Sequence, residues 1–212
     1  GPFFINIMIW GKVEKAVSRS GARPGDDIWV TGTIGDSHAG WLWLSGEANE
    51  KELKKVRANG WKGLKKRNLL YLVNRHLDPL VYNQAGPALA GLVNSMIDIS
   101  DGLSNDLGHI CSQSGVGALI ELDKLPLSWS LREWAKQKQK DPFKIALRGG
   151  EDYQLLFSGP PEKENEIRET MRLKGVKITK IGKIQEKDWG IKIFHKKRLR
   201  PLKEEGWDHF VG

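Results

Sequence analysis

Apolar and polar positions change period many times along the chain. Residues 3–10 (FFINIMIW) are aromatic and isoleucine-rich and predict a strand. Residues 21–25 (GARPG) carry turn chemistry, and 27–33 (DIWVTGT) predict a second strand. Asp36 or Ser37 is placed to cap a short helix that includes residues 41–44. Leu64, Leu69, Leu72, Val73 and Leu77 recur at helical spacing over 62–77, with Pro79 just beyond, and 87–94 predict a further short helix. Residues 95–99 predict a short strand. Ser100 then opens a helix whose apolar face is Leu103, Leu107, Ile110 and Cys111, and Gly115 stops it. A strand is predicted over 117–122, a helix capped by Ser128 runs to about 138, and a strand covers 153–157. Pro161 suits the first turn of a helix that ends near Gly175, and 176–184 and 189–194 predict closing strands. Strands and helices are mixed throughout, which argues for one α/β or α+β domain rather than a bundle or a sandwich.

Composition narrows the class. The chain has 212 residues, so it forms one domain or two small ones and buries enough surface to fold without staples. One cysteine, Cys111, excludes an internal disulfide and a cysteine-rich zinc site. No apolar run approaches the ~20 residues of a membrane span, and no signal peptide is visible. The net charge of +8 favours anionic partners in general. Two basic clusters carry much of it, one within 51–67 and one within 196–203. The first alternates with Leu53, Val56, Trp61 and Leu64, which suits the polar side of an amphipathic helical region. No nucleic-acid motif surrounds either cluster, so they read as solvated faces.

Chemistry concentrates in IDISDGL (97–103). A strand delivers Asp98 to its end, and Ser100 and Asp101 follow at a helix start beside free backbone N–H groups. Two convergent carboxylates suit a hard cation with a phosphate close by, although Asp101 is equally placed for plain capping. Without His or Cys spacing, magnesium is favoured over zinc. Asp106, further along, reads as solvated. In LRGGEDY (147–153) a double glycine allows a sharp bend or a close approach before two acids. A turn with surface acids is the bland reading. GWDHF (206–210) is an aromatic cluster that closes a core or stacks on a flat ring, with His209 read as structural.

Together these segments resemble the thiamine-monophosphate kinase family, within the superfamily of aminoimidazole-ribonucleotide synthetase and selenophosphate synthetase. The matching pieces are residues 18–40, RHLDP (75–79), 95–110, 146–157 and GWDHF. The resemblance implies an α+β fold, a mixed β-sheet packed with helices like the C-terminal domain of aminoimidazole-ribonucleotide synthetase. It implies an enzyme of thiamine diphosphate synthesis, a phosphotransferase moving the γ-phosphoryl group of ATP to thiamine monophosphate. Magnesium and ATP are the implied cofactors. Asp98 and Asp101 are the implied magnesium ligands. Arg19 and Ser100 are the implied ATP contacts, Glu151 contacts the substrate, and Trp207 is its stacking platform. No residue is implied as general acid or base. A cytoplasmic homodimer is implied for the full-length enzyme, with no membrane and no nucleic acid as partners.

The resemblance covers only the family's second half, so residues 1–212 are expected to be a single C-terminal ATP- and substrate-binding domain without the N-terminal domain. The resemblance implies that the family's N-terminal half carries further magnesium aspartates and the dimer interface, so the isolated chain is expected to be inactive or nearly so. An exposed apolar patch including Phe3, Phe4 and Trp10, and self-association through it, are expected too. Gln154, where the family often has Glu, reads as a surface change. The alternatives are another ATP-dependent synthetase of the superfamily, or a non-catalytic phosphate- or nucleic-acid-binding module using the basic clusters.

Overall fold

The computed structural model describes residues 5–8, 10–13, 15–46, 54 and 67–202. Its strands are β1 (Asp27–Thr31), β2 (Ser95–Asp98), β3 (Gly117–Glu121), β4 (Leu155–Gly159), β5 (Ile178–Gln185), β6 (Ile191–His195) and β7 (Arg198–Pro201). They form one seven-stranded sheet in the order β2-β4-β1-β5-β3-β6-β7. Only the β3–β6 pair is parallel; the other five are antiparallel. The helices among the described residues are α1 (Asp36–Gly46), α2 (Arg67–Leu77), α3 (Ala85–Leu89), α4 (Leu103–Ser114), α5 (Trp129–Gln137), α6 (Pro142–Arg148) and α7 (Glu164–Leu173). The expected mixed sheet packed with helices is therefore observed.

Helices cover both faces of the sheet. Strand side chains alternate between faces, and β1 shows the consequence. Ile28 and Val30 join a large core with Ala39 of α1, Leu72 of α2 and Leu107 of α4. Trp29 points the other way, into a smaller core with Leu89 of α3 and Ile167 and Met171 of α7. Its cross-strand partner Phe157 stacks on it at 6.4 Å. Burial on both faces explains why β1 reads as nearly continuous apolar sequence.

The register sets up the functional region. β2 and β4 are antiparallel neighbours, and Asp98, the last residue of β2, pairs with Leu155, the first of β4. The IDISDGL and GGEDY segments thus meet at one end of the sheet although about fifty residues separate them.

Several expectations need correction. Residues 5–8 and 10 form no strand, and Ile5, Ile7, Met8 and Trp10 are exposed; an apolar run without a neighbouring strand has no ladder to join. Residues 3, 4 and 9 lie outside the described residues. The helix expected over 87–94 is α3, at 85–89, and a turn follows it. The helix expected from Ser100 begins only at Leu103, after a bend. Helix α6 and strand β7 were not anticipated. The signal for α6 was local: Pro142 sits in its first turn and Asp141 accepts the Phe143 N–H at 2.9 Å. Gln154 is fully buried rather than superficial. Its amide accepts from the Thr31 hydroxyl (2.9 Å) and donates to the carbonyls of Leu80 (2.9 Å) and Asp152 (3.2 Å).

Candidate functional site

The bend at Ser100–Asp101 is the wall between two cavities. One, of ≈ 390 Å³, is lined by Arg19, Asp98, Ser100, Asp101, Asp106 and His109. The other, of ≈ 470 Å³, shares Ser100 and Asp101 and adds Glu151, Tyr153, His76 and Trp41 among its walls. Separated sequence segments therefore line two adjoining cavities, and Arg19, Asp98, Ser100, Asp101 and Glu151 are all among the lining residues. Trp207 and the rest of GWDHF lie outside the described residues.

Backbone contacts hold the two motifs together. Ser100 O accepts the Glu151 N–H and Ile99 O accepts the Tyr153 N–H, each at 2.9 Å. A Cβ at Gly150 would run into the Ser100 carbonyl oxygen, so the double glycine is what lets the segments touch. Gly102, at φ 109°, turns the chain into α4 against the Arg148 carbonyl. Glu151 and Tyr153 both have positive φ, 61° and 51°, which is uncommon outside glycine. Arg19 is brought in by the Met96 N–H, which donates to Ser18 O at 3.0 Å.

Asp106 corrects the sequence reading most sharply. It is 1% exposed, not solvated. Its Oδ2 accepts the N–H groups of Ser100 (3.1 Å), Asp101 (3.2 Å) and Gly102 (3.1 Å). The backbone donors expected to be free for a phosphate are thus occupied. Burial pushes the Asp106 carboxyl up to about 7; the N–H bonds oppose this, and the negative charges of Asp101 and Asp98 reinforce it.

Three carboxylates crowd one small cavity, which is the donor chemistry of a hard cation. Ligand atoms of Asp101, Asp106 and His109 lie within 4.8 Å of one another. Asp98 lines the same cavity but is not one of that trio. The oxygen-rich donor set fits magnesium. His109 was missed in the sequence, although its i+3 spacing from Asp106 puts both on one helix face.

The second acid pair is also divided. Asp152 is fully buried, contrary to the surface reading. Its two oxygens accept the N–H groups of Gly35 (2.5 Å) and Ser37 (3.1 Å) at the start of α1. Burial raises its carboxyl to about 7, opposed by the Gly35 N–H and reinforced by Asp36. Glu151 instead faces the cavity. His76 Nδ1 lies 3.3 Å from Glu151 Oε2 and 3.1 Å from Ser37 Oγ. Burial holds the His76 pKa below its ordinary value, while the charge of Glu151 works against that. His38 stacks on Trp41 at 5.4 Å and adds an aromatic wall. No spacing in the sequence connects His38, Trp41 and His76 to Glu151.

Comparison with known proteins agrees with this architecture. The family described as AIR synthase related protein, C-terminal domain, matches residues 23–194. The thiamine-monophosphate kinase of Aquifex aeolicus is 36% identical over 206 residues, which are 97% of this chain and 58% of the relative. That of Escherichia coli K12 is 37% identical over 213 residues, covering all of this chain and 61% of the relative. A solved structure described as AaThiL complexed with AMPPCP and TMP superposes with a TM-score of 0.73 at 36% identity. That match covers 93% of this chain and 55% of the other. The chain thus spans about three fifths of the length of these curated relatives. By these matches over most of its length, the chain belongs to the AIR synthase related protein, C-terminal domain family.

Proposed function

We propose that this chain is the C-terminal, ATP- and substrate-binding part of a thiamine-monophosphate kinase. The observation that carries the reading is the shared wall. Ser100 and Asp101 separate a carboxylate-lined cavity with an arginine from a ring-lined cavity with Glu151. Such a partition suits a phosphoryl donor on one side and a cationic aromatic acceptor on the other. Similarity to thiamine-monophosphate kinases over 97–100% of the chain supports the choice of substrate.

In the reaction, an oxygen of the acceptor phosphate bonds to the γ-phosphorus of ATP. The bond from that phosphorus to the β,γ-bridging oxygen breaks, and ADP leaves. The acceptor oxygen is already ionised, so no general base is assigned, and positioning and charge neutralisation dominate. Magnesium, held by Asp98 and Asp101, would neutralise charge on the phosphates. Arg19 offers a planar fork of donors to phosphate oxygens, and Ser100 a hydroxyl. Glu151 pairs with the thiazolium cation, and Trp207 offers it an aromatic face. Full activity is assigned to the whole protein, taken as a cytoplasmic homodimer, and the 212 residues alone are expected to bind ligands without turnover. Among the described residues no helix is long and apolar enough to cross a membrane.

The test is ADP release on adding thiamine monophosphate, ATP and magnesium to a full-length protein containing this chain. Asp101→Asn should abolish release, and Glu151→Gln should raise the KM for thiamine monophosphate more than it lowers kcat. Release that is absent in the full-length protein, or unchanged by both substitutions, would overturn the reading.

A further inference from the structure

We propose that His76 is the positioning residue of Glu151, holding its carboxylate in the cavity through an Nδ1–H group. His76 lies in the last turn of α2. Helix α2 comes this close to α1 because Gly40 has no side chain. A Cβ there would run into the Leu72 carbonyl oxygen and press on the His76 Cβ. Nδ1 then lies 3.1 Å from Ser37 Oγ and 3.3 Å from Glu151 Oε2. Ser37 is itself fixed, being fully buried with its N–H on Asp152 Oδ1. The Glu151 side chain, by contrast, is 55% exposed. Its orientation depends on what holds it from the α1–α2 side.

A neutral imidazole nitrogen presents either one proton or one lone pair. A lone pair on Nδ1 would face the carboxylate and repel it, whereas a proton there attracts it. The Ser37 hydroxyl accepts as well as donates, so it suits either form. Glu151 therefore decides the tautomer, with the proton on Nδ1 and the lone pair on Nε2. Burial lowers the His76 pKa from its ordinary 6.5, against the pull of Glu151, so the ring is uncharged at neutral pH. An uncharged donor orients the carboxylate without cancelling its charge. A lysine or arginine in its place would form an ion pair and compete with a cationic ligand. The other charged residues lining the cavity are Asp101 and Arg148, whose charges are opposite. Glu151 thus keeps its negative charge for a cationic ring, beside the flat wall of His38 and Trp41. That this ring is the thiazolium of thiamine monophosphate rests on the proposed kinase reading; the hold of His76 on Glu151 does not.

Two measurements on a full-length protein containing this chain test the assignment. The first is the nitrogen NMR spectrum of the imidazole rings, which shows which ring nitrogen carries the proton. The His76 signals are those lost in His76→Asn. Nδ1–H is expected in the wild type, and Glu151→Gln should weaken that preference. A lone pair on Nδ1 in the wild type, or a spectrum unchanged by Glu151→Gln, overturns the proposal. The second is the KM for thiamine monophosphate. His76→Leu should raise it about fivefold while kcat is nearly kept. His76→Asn, whose amide nitrogen takes nearly the place of Nδ1, should bring it back to within about twofold of the wild type. In the Glu151→Gln background His76→Leu should add almost nothing. Equal losses in the Leu and Asn variants, or fully additive losses of His76→Leu and Glu151→Gln, would make His76 merely structural and overturn the proposal. A wild type that turns over no thiamine monophosphate, yet shows an Nδ1–H that responds to Glu151→Gln, sinks the kinase reading and upholds the hold of His76 on Glu151.

Discussion

The segment from Asp98 to Asp106 and the segment from Gly149 to Tyr153 divide their acids in the same way. Each buries one aspartate on backbone N–H groups and turns its other acids toward a cavity. Asp106 ties down the loop that carries Asp98 and Asp101, and Asp152 does so for Glu151. They differ in reach. Asp106 binds N–H groups four to six residues before it, whereas Asp152 binds N–H groups 115 and 117 residues away. One aspartate shapes a loop; the other joins the start of α1 to the approach to β4. In both segments a buried aspartate serves as scaffold, and the neighbouring acids line the cavities.

The comparison can be broken most severely at the long-range joint. Asp152→Ala leaves two buried N–H groups without acceptors and should cost about 3 kcal/mol in denaturant unfolding. Asp106→Ala strands three N–H groups, but these border a cavity open to water, so the expected cost is smaller, about 2 kcal/mol. If the second loss exceeds the first, the distinction between joint and loop fails.

Acidity is where the two buried aspartates agree, both carboxyls being pushed up to about 7. The folded Asp152 carboxyl titrates at about 7, against 3.8 for an ordinary aspartate. Between those values the folded chain holds a proton that the unfolded chain has released. The stability this contributes is fully present below about pH 3.8 and is lost as pH rises through about 7. Unfolding midpoints taken from pH 4.5 to 7.5 should therefore fall more steeply in the wild type than in Asp152→Asn, and parallel curves would refute the assignment.

The smallest effect on stability is expected at the cavity-facing acids. Glu151→Gln should change unfolding by no more than about 0.5 kcal/mol. It should nevertheless weaken thiamine monophosphate binding about tenfold, read as quenching of tryptophan fluorescence. A stability loss as large as that of Asp152→Ala would show Glu151 to be structural as well.

Much of the architecture was legible in the chain. The apolar run Ile28–Val30, the helical spacing of Leu103, Leu107 and Ile110, and the left-handed Gly115 (φ 67°) that ends α4 all rest on local geometry. Residues 5–10 show the limit, because an apolar pattern does not say whether a neighbouring strand exists. Arg19, Asp98, Ser100, Asp101 and Glu151 were identified through motifs, and they line adjoining cavities. The buried roles of Asp106, Asp152 and Gln154 were misread, since an acid or amide beside a turn looks the same whether water or distant backbone satisfies it.

The sequence by itself determined most of the element types, the resemblance to a family, and the chemical character of both motifs. Those depend on residue identity and on contacts within a few positions. Only the tertiary structure decided which acids are buried and which line a cavity. That choice follows from the antiparallel pairing of β2 with β4, which sets Asp98 beside Leu155, and from the Ser100 carbonyl accepting the Glu151 N–H. At Asp152, long-range hydrogen bonds select one carboxylate for burial and leave its neighbour Glu151 in the cavity, and no local pattern encodes the partners that do so.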